Sequence, residues 1–257
     1  MRHSSRSTLL FFVVCGLLLT LARPCFSADE NAVDFLSDDF YEDETASIET
    51  DDPLESFNRA MFQLNDTTYT YVFNPVAEGY SKVVPPDIRG VVWNFFRNLE
   101  EPVRFINCLL QGRISDAGTV LVRFLINTTG GVAGLGNPAG REFGFKRVEA
   151  TLGETMATWG IGDGLYLVVP FYGPSTLRDF TGTVIDGFGM TPYYIFTDDI
   201  GVMGGIYLGK ETNKLSMNLG EYEEFKKLSF DPYIALRNGY FQYRKKLRDH
   251  SVPNDGE

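Results

Sequence analysis

Histidine is nearly absent from this 257-residue chain: there are two, His3 and His250, and they lie at its ends. Cysteine is almost as scarce. Of three, Cys15 and Cys25 sit in an apolar leader, which leaves Cys108 as the one thiol of the body. These absences exclude from the body a Ser-His-Asp or Cys-His catalytic set, a His-ligated or clustered-Cys metal site, and an internal disulfide. No metal and no cofactor are expected. Long apolar runs are missing as well. Beyond the leader, no uninterrupted stretch reaches the roughly 20 residues of a bilayer-spanning helix. Excess positive charge is also lacking. The net charge of −11 is concentrated in residues 28–57, which hold twelve acids and no base, while residues 1–27 hold three arginines and no acid. The remaining 200 residues carry a net −2, so no electrostatic footprint for nucleic acid is left.

The leader has a basic start, Arg2 and Arg6, and an apolar run of fourteen residues from Leu9 to Ala22. That is short for a membrane span and suits a signal core, so residues 1–27 are expected to be a signal peptide. Cleavage after Ser27 places small Cys25 and Ser27 at the critical positions. Lipidation of Cys25 is the alternative, although Arg23 and Pro24 stand where lipoprotein signals want small residues. Residues 28–51 form an acidic tether. Its single-signed charge favours an extended, disordered spacer, and the apolar residues set among the acids, such as Phe35 and Phe40, also suit a docking motif for a basic surface.

The body reads as all-α. Asp52-Pro53-Leu54-Glu55 opens a helix with an aspartate cap, a proline at the first position and Glu55 reaching back as in a capping box. Apolar residues then recur with helical spacing from Phe57 to Val72, until Asn74-Pro75 closes the segment. Pro85-Pro86-Asp87 opens the next, with one or two more turns after Pro102. A third amphipathic helix starts near Ser115, and a shorter one covers Glu149 to Trp159. Ser175 caps a helix through Ile185, and Asp231-Pro232 starts the last, which ends in Arg244, Lys245, Lys246 and Arg248, cations that suit a helix C-terminus. No run of alternating strands and no repeat is visible.

Chemistry is harder to find. GGVAGLG and GIGDG lack the phosphate-loop lysine and the dinucleotide spacing, so their glycines are expected to serve tight turns and close helix contacts. Glu100-Glu101, and Glu154 with Asp163, are the carboxylate pairs a hydrolase could use at a set separation. Arg59, Arg104, Arg123 and Arg178 stand in or beside apolar faces, where stems pack and heads stay at the surface, or where heads meet lipid phosphates.

Five strings, DPLESFNRAMFQLN, NLEEPVRFINCLLQG, RFLINTTGGVAGL, LGETMATWGIGDGLYLVVPFYGPSTLRD and SFDPYIALRNGYFQYR, occur in this order across residues 52–247 and together resemble the MlaA/VacJ family. The resemblance implies a non-enzymatic phospholipid channel of the bacterial outer membrane. It would be a ring of amphipathic helices seated in one leaflet at the periplasmic face. It would be held by a trimeric outer-membrane porin and would pass phospholipid to a periplasmic phospholipid carrier, which maintains lipid asymmetry. Carried over by motif, Phe57, Asn58, Arg59, Met61 and Phe62 stand near the inner wall, and Gly160, Gly162 and Gly164 border the channel, where they could gate it or merely break a helix. Asp231, Tyr233, Arg237, Tyr240 and Arg244 match the terminal-helix motif and are expected to be structural or to form a periplasmic docking surface. The poor lipidation signal and the interposed tether depart from the family's pattern. The alternative is a soluble periplasmic lipid-binding adaptor with the same fold and no insertion. Residues 248–257 are expected to be a flexible tail.

Overall fold

The first helix starts later than the expected aspartate cap, at Glu55, with Leu54 in the cap position and no side-chain capping bond. In the computed structural model, which describes residues 52–192 and 199–251, Asp52 Oδ1 accepts from the Leu54 N–H at 3.0 Å. Glu55 turns forward instead, to pair with Arg59 at 2.7 Å, one turn along the same helix face. The leader, the tether and Cys25 lie outside the described residues, all of which belong to the unit Val33–Glu257.

Helix α1 (Glu55–Thr68) does not stop at Asn74-Pro75. It widens into a π-helical turn, Tyr69–Phe73, and continues as α2 (Asn74–Val83). A proline offers no N–H and crowds the carbonyl four residues back, which for Pro75 is Tyr71, inside the widened turn. The π turn therefore removes the clash that was expected to end the helix. Helix α3 (Pro86–Leu110) likewise runs through Pro102, so the turns beyond it belong to one 25-residue helix. There the Arg104 guanidinium donates to the Arg97 carbonyl at 3.1 Å, in the turn the proline disturbs.

Helix α4 (Ile114–Thr129) folds back on α3. The contact is made by small residues: Cys108, Ala117, Val120 and Ala150 are buried, with Phe105 and Val148 against them. The turn after α4 needs its glycine. Gly134 has φ +86°, and a Cβ there would stand 2.4 Å from that of Asn98. A short helix α5 (Pro138–Arg141) follows. Helix α6 (Leu152–Thr158) holds a complete capping box: Thr151 Oγ1 accepts from the Glu154 N–H, and Glu154 Oε2 accepts from the Thr151 N–H.

The stretch left unassigned in the sequence is a β-hairpin, β1 (Tyr166–Val169) with β2 (Gly173–Thr176), antiparallel with Tyr166 opposite Thr176. Thr176, rather than Ser175, caps α7 (Leu177–Val184), which passes into a second π-helical turn, Ile185–Met190. Helices α8 (Ile200–Met217) and α9 (Glu221–Leu228) were not read from the sequence. The last helix, α10 (Pro232–Ser251), continues four residues into the segment expected to be a tail.

These elements touch in a closed circuit. α1 packs on β1, β1 pairs with β2, β2 meets α7, α7 packs on α6, α6 on α3, α3 on α8, α8 on α2, and α2 returns through the π turn to α1. Among the described residues the buried apolar side chains form two separate clusters. The second, Tyr166, Val168 and Tyr233 with Met61, Phe62, Ile234, Tyr240 and Phe241, lies where α1, the hairpin and α10 meet.

Candidate functional site

The distribution of polarity is inverted relative to a water-soluble bundle. Among the described residues eleven apolar side chains are buried, fifteen polar or charged ones are buried, and thirty-one large apolar ones are exposed. Buried polar groups and contiguous exposed apolar surface are the informative departures from a soluble fold. Helix α4 shows the inversion at single-residue resolution. Ala117, Val120, Arg123 and Asn127 face inward, while Ile114, Leu121, Val122 and Leu125 face outward, and Val132 and Leu135 extend that face beyond the helix. Its two charges are both consumed: Asp116 by Arg113 at 2.7 Å, and Arg123 by Glu101 at 3.9 Å and by the Phe145 carbonyl. Tyr71, Val72, Val76 and Val83 make a similar outward set along the first π turn and α2. Among the described residues no helix is long and apolar enough to cross a membrane.

The inward side is a set of polar knots. In the first, Asn58 of α1 is fully buried. Its Nδ2 donates to Asp52 Oδ1 at 3.1 Å and to the Tyr166 carbonyl at 3.0 Å, and its Oδ1 accepts from the Val168 N–H at 2.9 Å. One helical side chain thus supplies the bonds of a neighbouring strand. Two turns on, Asn65 repeats the device with the Val169 carbonyl and the Phe171 N–H, at 2.9 and 2.7 Å. Because Val168 turns its N–H toward Asn58, Pro174 opposite it leaves no gap in the ladder. Arg59 grips Asp231 through both carboxylate oxygens, at 3.3 and 2.9 Å, and lies over the Tyr233 ring. Tyr233 donates its hydroxyl to Asp52.

A second knot ties α10 to α6 and α7. Arg244 meets Asp179 at 2.6 Å and Glu154 at 3.4 Å, Tyr240 donates to Asp179 at 2.6 Å, and Arg178 meets Asp179 at 3.0 Å. Burial works to raise the Asp179 carboxyl, and Arg244, Tyr240 and Arg178 outweigh it, holding the group below its ordinary range. Glu154 is left raised, with burial as the larger influence over Arg244. Arg178 also clamps the glycine loop, donating to the Ile161 carbonyl at 3.0 Å and pairing with Asp163, which Arg248 approaches at 3.4 Å.

The third knot joins α3 to the segment before α6. Glu149 receives Arg97, Arg104 and Arg147, and Glu100 receives Arg104 and Lys210. Beside them Glu101 is 2% exposed, and burial pushes its carboxyl up to about 7 against the pull of Arg104 and Arg123. The native state therefore holds a proton between about pH 4.5 and 7 that the unfolded chain releases. Stability rises as pH falls through 7 toward 4.5, and ionisation costs about 3 kcal/mol above pH 7. Glu101→Gln is expected to stabilise the protein by up to about 3 kcal/mol at pH 8 and hardly at all at pH 5. Denaturant unfolding at the two pH values checks this. A difference that does not change with pH would mean that Glu101 stays ionised against Arg123.

The structure sorts the residues singled out in the sequence. Asn58, Arg59, Met61 and Phe62 meet at the α1–hairpin–α10 junction, whereas Phe57 is half exposed beside them. Gly160 and Gly164 have φ +84° and +70°, but Gly162 is not left-handed and has open space around it, so a side chain there is not strained. Arg123 and Arg178 do not keep their heads at the surface: both are buried and paired within the protein. Of the third knot, the sequence pointed to Arg104 and Glu100-Glu101 and missed Arg97, Arg147, Glu149 and Lys210. The available signal was the seven-residue spacing of Arg97 and Arg104, which puts both on one face of α3 with Glu100 and Glu101 between them in the sequence.

A family model described as MlaA lipoprotein matches residues 50–247. The Escherichia coli K12 intermembrane phospholipid transport system lipoprotein MlaA is 36% identical over 214 residues, 80% of this chain and 80% of that one. The Haemophilus influenzae protein of the same name is 33% identical over 76% of this chain and 78% of its own length. A protein of Rickettsia conorii is 33% identical over 79% and 80%. A solved structure described as "Structural basis for maintenance of bacterial outer membrane lipid asymmetry" superposes with a TM-score of 0.65 at 32% identity, covering 77% of this chain and all of that one.

Proposed function

The chain belongs to the MlaA lipoprotein family, and from that premise we propose that it is a non-enzymatic phospholipid conduit of the bacterial outer membrane. The observation that carries this reading is the inverted polarity, with apolar residues outward on α4 and α2 and bonded polar knots inward. Helices too short or too polar to cross a bilayer still lie in its interface when one face is apolar. A closed circuit of such helices forms a collar in one leaflet, and its polar side gives a charged headgroup a route that the hydrocarbon does not. A trimeric porin holds the collar in place and a periplasmic carrier receives the lipid. Phe57, Met61 and Phe62 serve the wall on the α1 side, and the loop from Gly160 to Gly164 borders the passage.

The carboxylates of the hydrolase reading are engaged in ion pairs, Glu154 with Arg244 and Asp163 with Arg178. They act here as fasteners for the loop and for α10.

Surface phospholipid on intact cells, measured by headgroup labelling with the gene deleted and then restored, tests the conduit. Deletion is expected to raise it, and the native chain to bring it back. No change, with the protein folded and expressed, would favour the soluble adaptor. In the same strains Gly160→Val is expected to restore less than Gly162→Val, because only the former forces a branched side chain into left-handed backbone. Equal restoration would remove the loop from the mechanism.

A further inference from the structure

Aromatic rings and carboxylates come together where the first π turn meets α9. Tyr69 opens the π turn, and its ring centroid lies 4.4 Å from that of Tyr222 on α9, tilted by 53°. Phe225 stacks on Tyr222 at 6.4 Å and 30°. An ammonium already rests against these rings. Lys226 Nζ lies 5.7 Å from the Tyr222 centroid and meets Asp66 Oδ1 of α1 at 2.6 Å, and the Tyr222 hydroxyl donates to the same oxygen at 3.0 Å. Ring faces beside a carboxylate suit a primary ammonium, which is attracted by the one and donates to the other.

Lys226 serves only part of this corner. Asp66 has Lys226 and Tyr222, and Glu221 accepts from the Asn218 amide at 2.8 and 2.9 Å. Glu223 is served differently: its Oε2 is buried and accepts no hydrogen bond among the described residues. It stands close enough to Tyr69 to act on it. Burial pushes the Tyr69 hydroxyl up to about 12, and Glu223 and Glu221 add to the rise. Acids in the first turn of a helix suit its dipole, but that benefit does not require an oxygen to be withdrawn from water without a donor, which is costly. A hydrogen-bonding cation set against the tyrosine rings relieves that cost. The neighbours favour a cation carried on hydrocarbon: Leu64 of α1, Tyr71 and Val72 of the π turn, and Leu228 and Phe230 at the end of α9 are all exposed.

We propose that the corner formed by Tyr69, Tyr222 and Glu223 binds the primary ammonium of a phospholipid headgroup, which donates to Glu223 Oε2 and lies against the two tyrosine rings. The proposal rests on the conduit reading and adds a headgroup preference to it. Lys226 keeps Asp66, which meets its charge, and is not displaced. A quaternary ammonium has no N–H to give Glu223, and a glycerol headgroup brings no cation to the rings. Phosphatidylethanolamine is therefore preferred over both phosphatidylcholine and phosphatidylglycerol.

The test uses the full chain in neutral detergent, titrated with short-chain phosphatidylethanolamine, with short-chain phosphatidylcholine, short-chain phosphatidylglycerol and free ethanolamine as parallel arms. The native protein is expected to bind phosphatidylethanolamine about tenfold tighter than phosphatidylglycerol or free ethanolamine, and several-fold tighter than phosphatidylcholine. Glu223→Gln is expected to weaken phosphatidylethanolamine about tenfold and to leave phosphatidylglycerol no weaker, since the charge-assisted bond is lost only for the amine. A merely structural role for Glu223 would move both lipids alike. Should Glu223→Gln fail to fold, the ring decides: Tyr69→Leu is expected to cost phosphatidylethanolamine several-fold and Tyr69→Phe, which keeps the π face, almost nothing. Circular dichroism establishes that each variant is folded. Native binding that does not distinguish phosphatidylethanolamine from phosphatidylglycerol, or folded Glu223→Gln and Tyr69→Leu variants that keep phosphatidylethanolamine within about twofold, overturns the site and leaves the conduit standing. Phosphatidylcholine binding as tightly as phosphatidylethanolamine overturns the hydrogen bond to Glu223. Free ethanolamine binding as tightly as the lipid overturns the headgroup assignment. A folded native protein that takes up no phospholipid removes the conduit reading and the site together.

Discussion

Asn58→Ala is expected to lower the melting temperature by roughly 8–15 °C, the largest loss from a single polar truncation in α1. The substitution removes little volume. Its effect comes from the Tyr166 carbonyl and the Val168 N–H, both on a buried stretch of β1, which lose the side chain that serves them. An orphaned buried main-chain group costs about 1–3 kcal/mol, and Asp52 loses a donor as well, so the total is about 3–5 kcal/mol. Asn58→Asp does not rescue: a carboxylate can accept from Val168 but cannot donate to Tyr166, and it repels Asp52. Phe57→Ala, one residue away on a half-exposed position, is expected to change the melting temperature by less than about 3 °C. Thermal melts followed by circular dichroism compare the three. A shift of only a degree or two for Asn58→Ala would mean that water reaches the hairpin edge and takes over its bonds.

That dependence also explains what the sequence revealed and what it concealed. Helix α4 was legible because its inward and outward residues repeat at helical spacing within sixteen positions. The hairpin was not. Each of its strands has four residues, too few to set a period, and the groups that hold β1 in place, Asn58 and Asn65, lie more than a hundred positions earlier in the chain. Helix α8 was hidden for the opposite reason. Residues 200–209, IGVMGGIYLG, are apolar on every face and rich in glycine, so no moment marks a helix there. The expected stop at Asn74-Pro75 failed because a π turn relieves the proline, and that compensation cannot be read locally.

The candidate site was half legible on the same terms. The arginines stand out as charges in apolar helices, but their partners do not: Arg59 finds Asp231 across 172 positions, Arg244 finds Glu154 across 90, and Arg97 finds Glu149 across 52. Residue type announces that a buried cation must have a counter-charge. Only the fold says which, as where Arg244 and Arg178 close on Asp179 and Arg97 reaches Glu149.

Leu121→Lys with Leu125→Lys is expected to move the protein from the washed outer-membrane pellet into the soluble fraction while leaving the fold intact. Both leucines already face outward on α4 and are 41% and 52% exposed, so a lysine at either can keep its charged end in solvent and costs folding little. In a leaflet the same positions contact hydrocarbon. A lysine there costs about 1–3 kcal/mol depending on depth, and two of them shift partitioning by on the order of a hundredfold or more. Position decides the outcome, since Val120, the residue before Leu121, is fully buried against Ala117 and Cys108. Val120→Lys is therefore expected to unfold the chain, where Leu121→Lys relocates it. Fractionation of cells expressing each variant, with circular dichroism of the recovered protein, separates the two effects. A folded double-lysine variant that still pellets with the membrane after a salt wash would mean that the outward face of α4 is covered by protein, and the collar would have to be built from the exposed apolar residues of α2 and α8 instead.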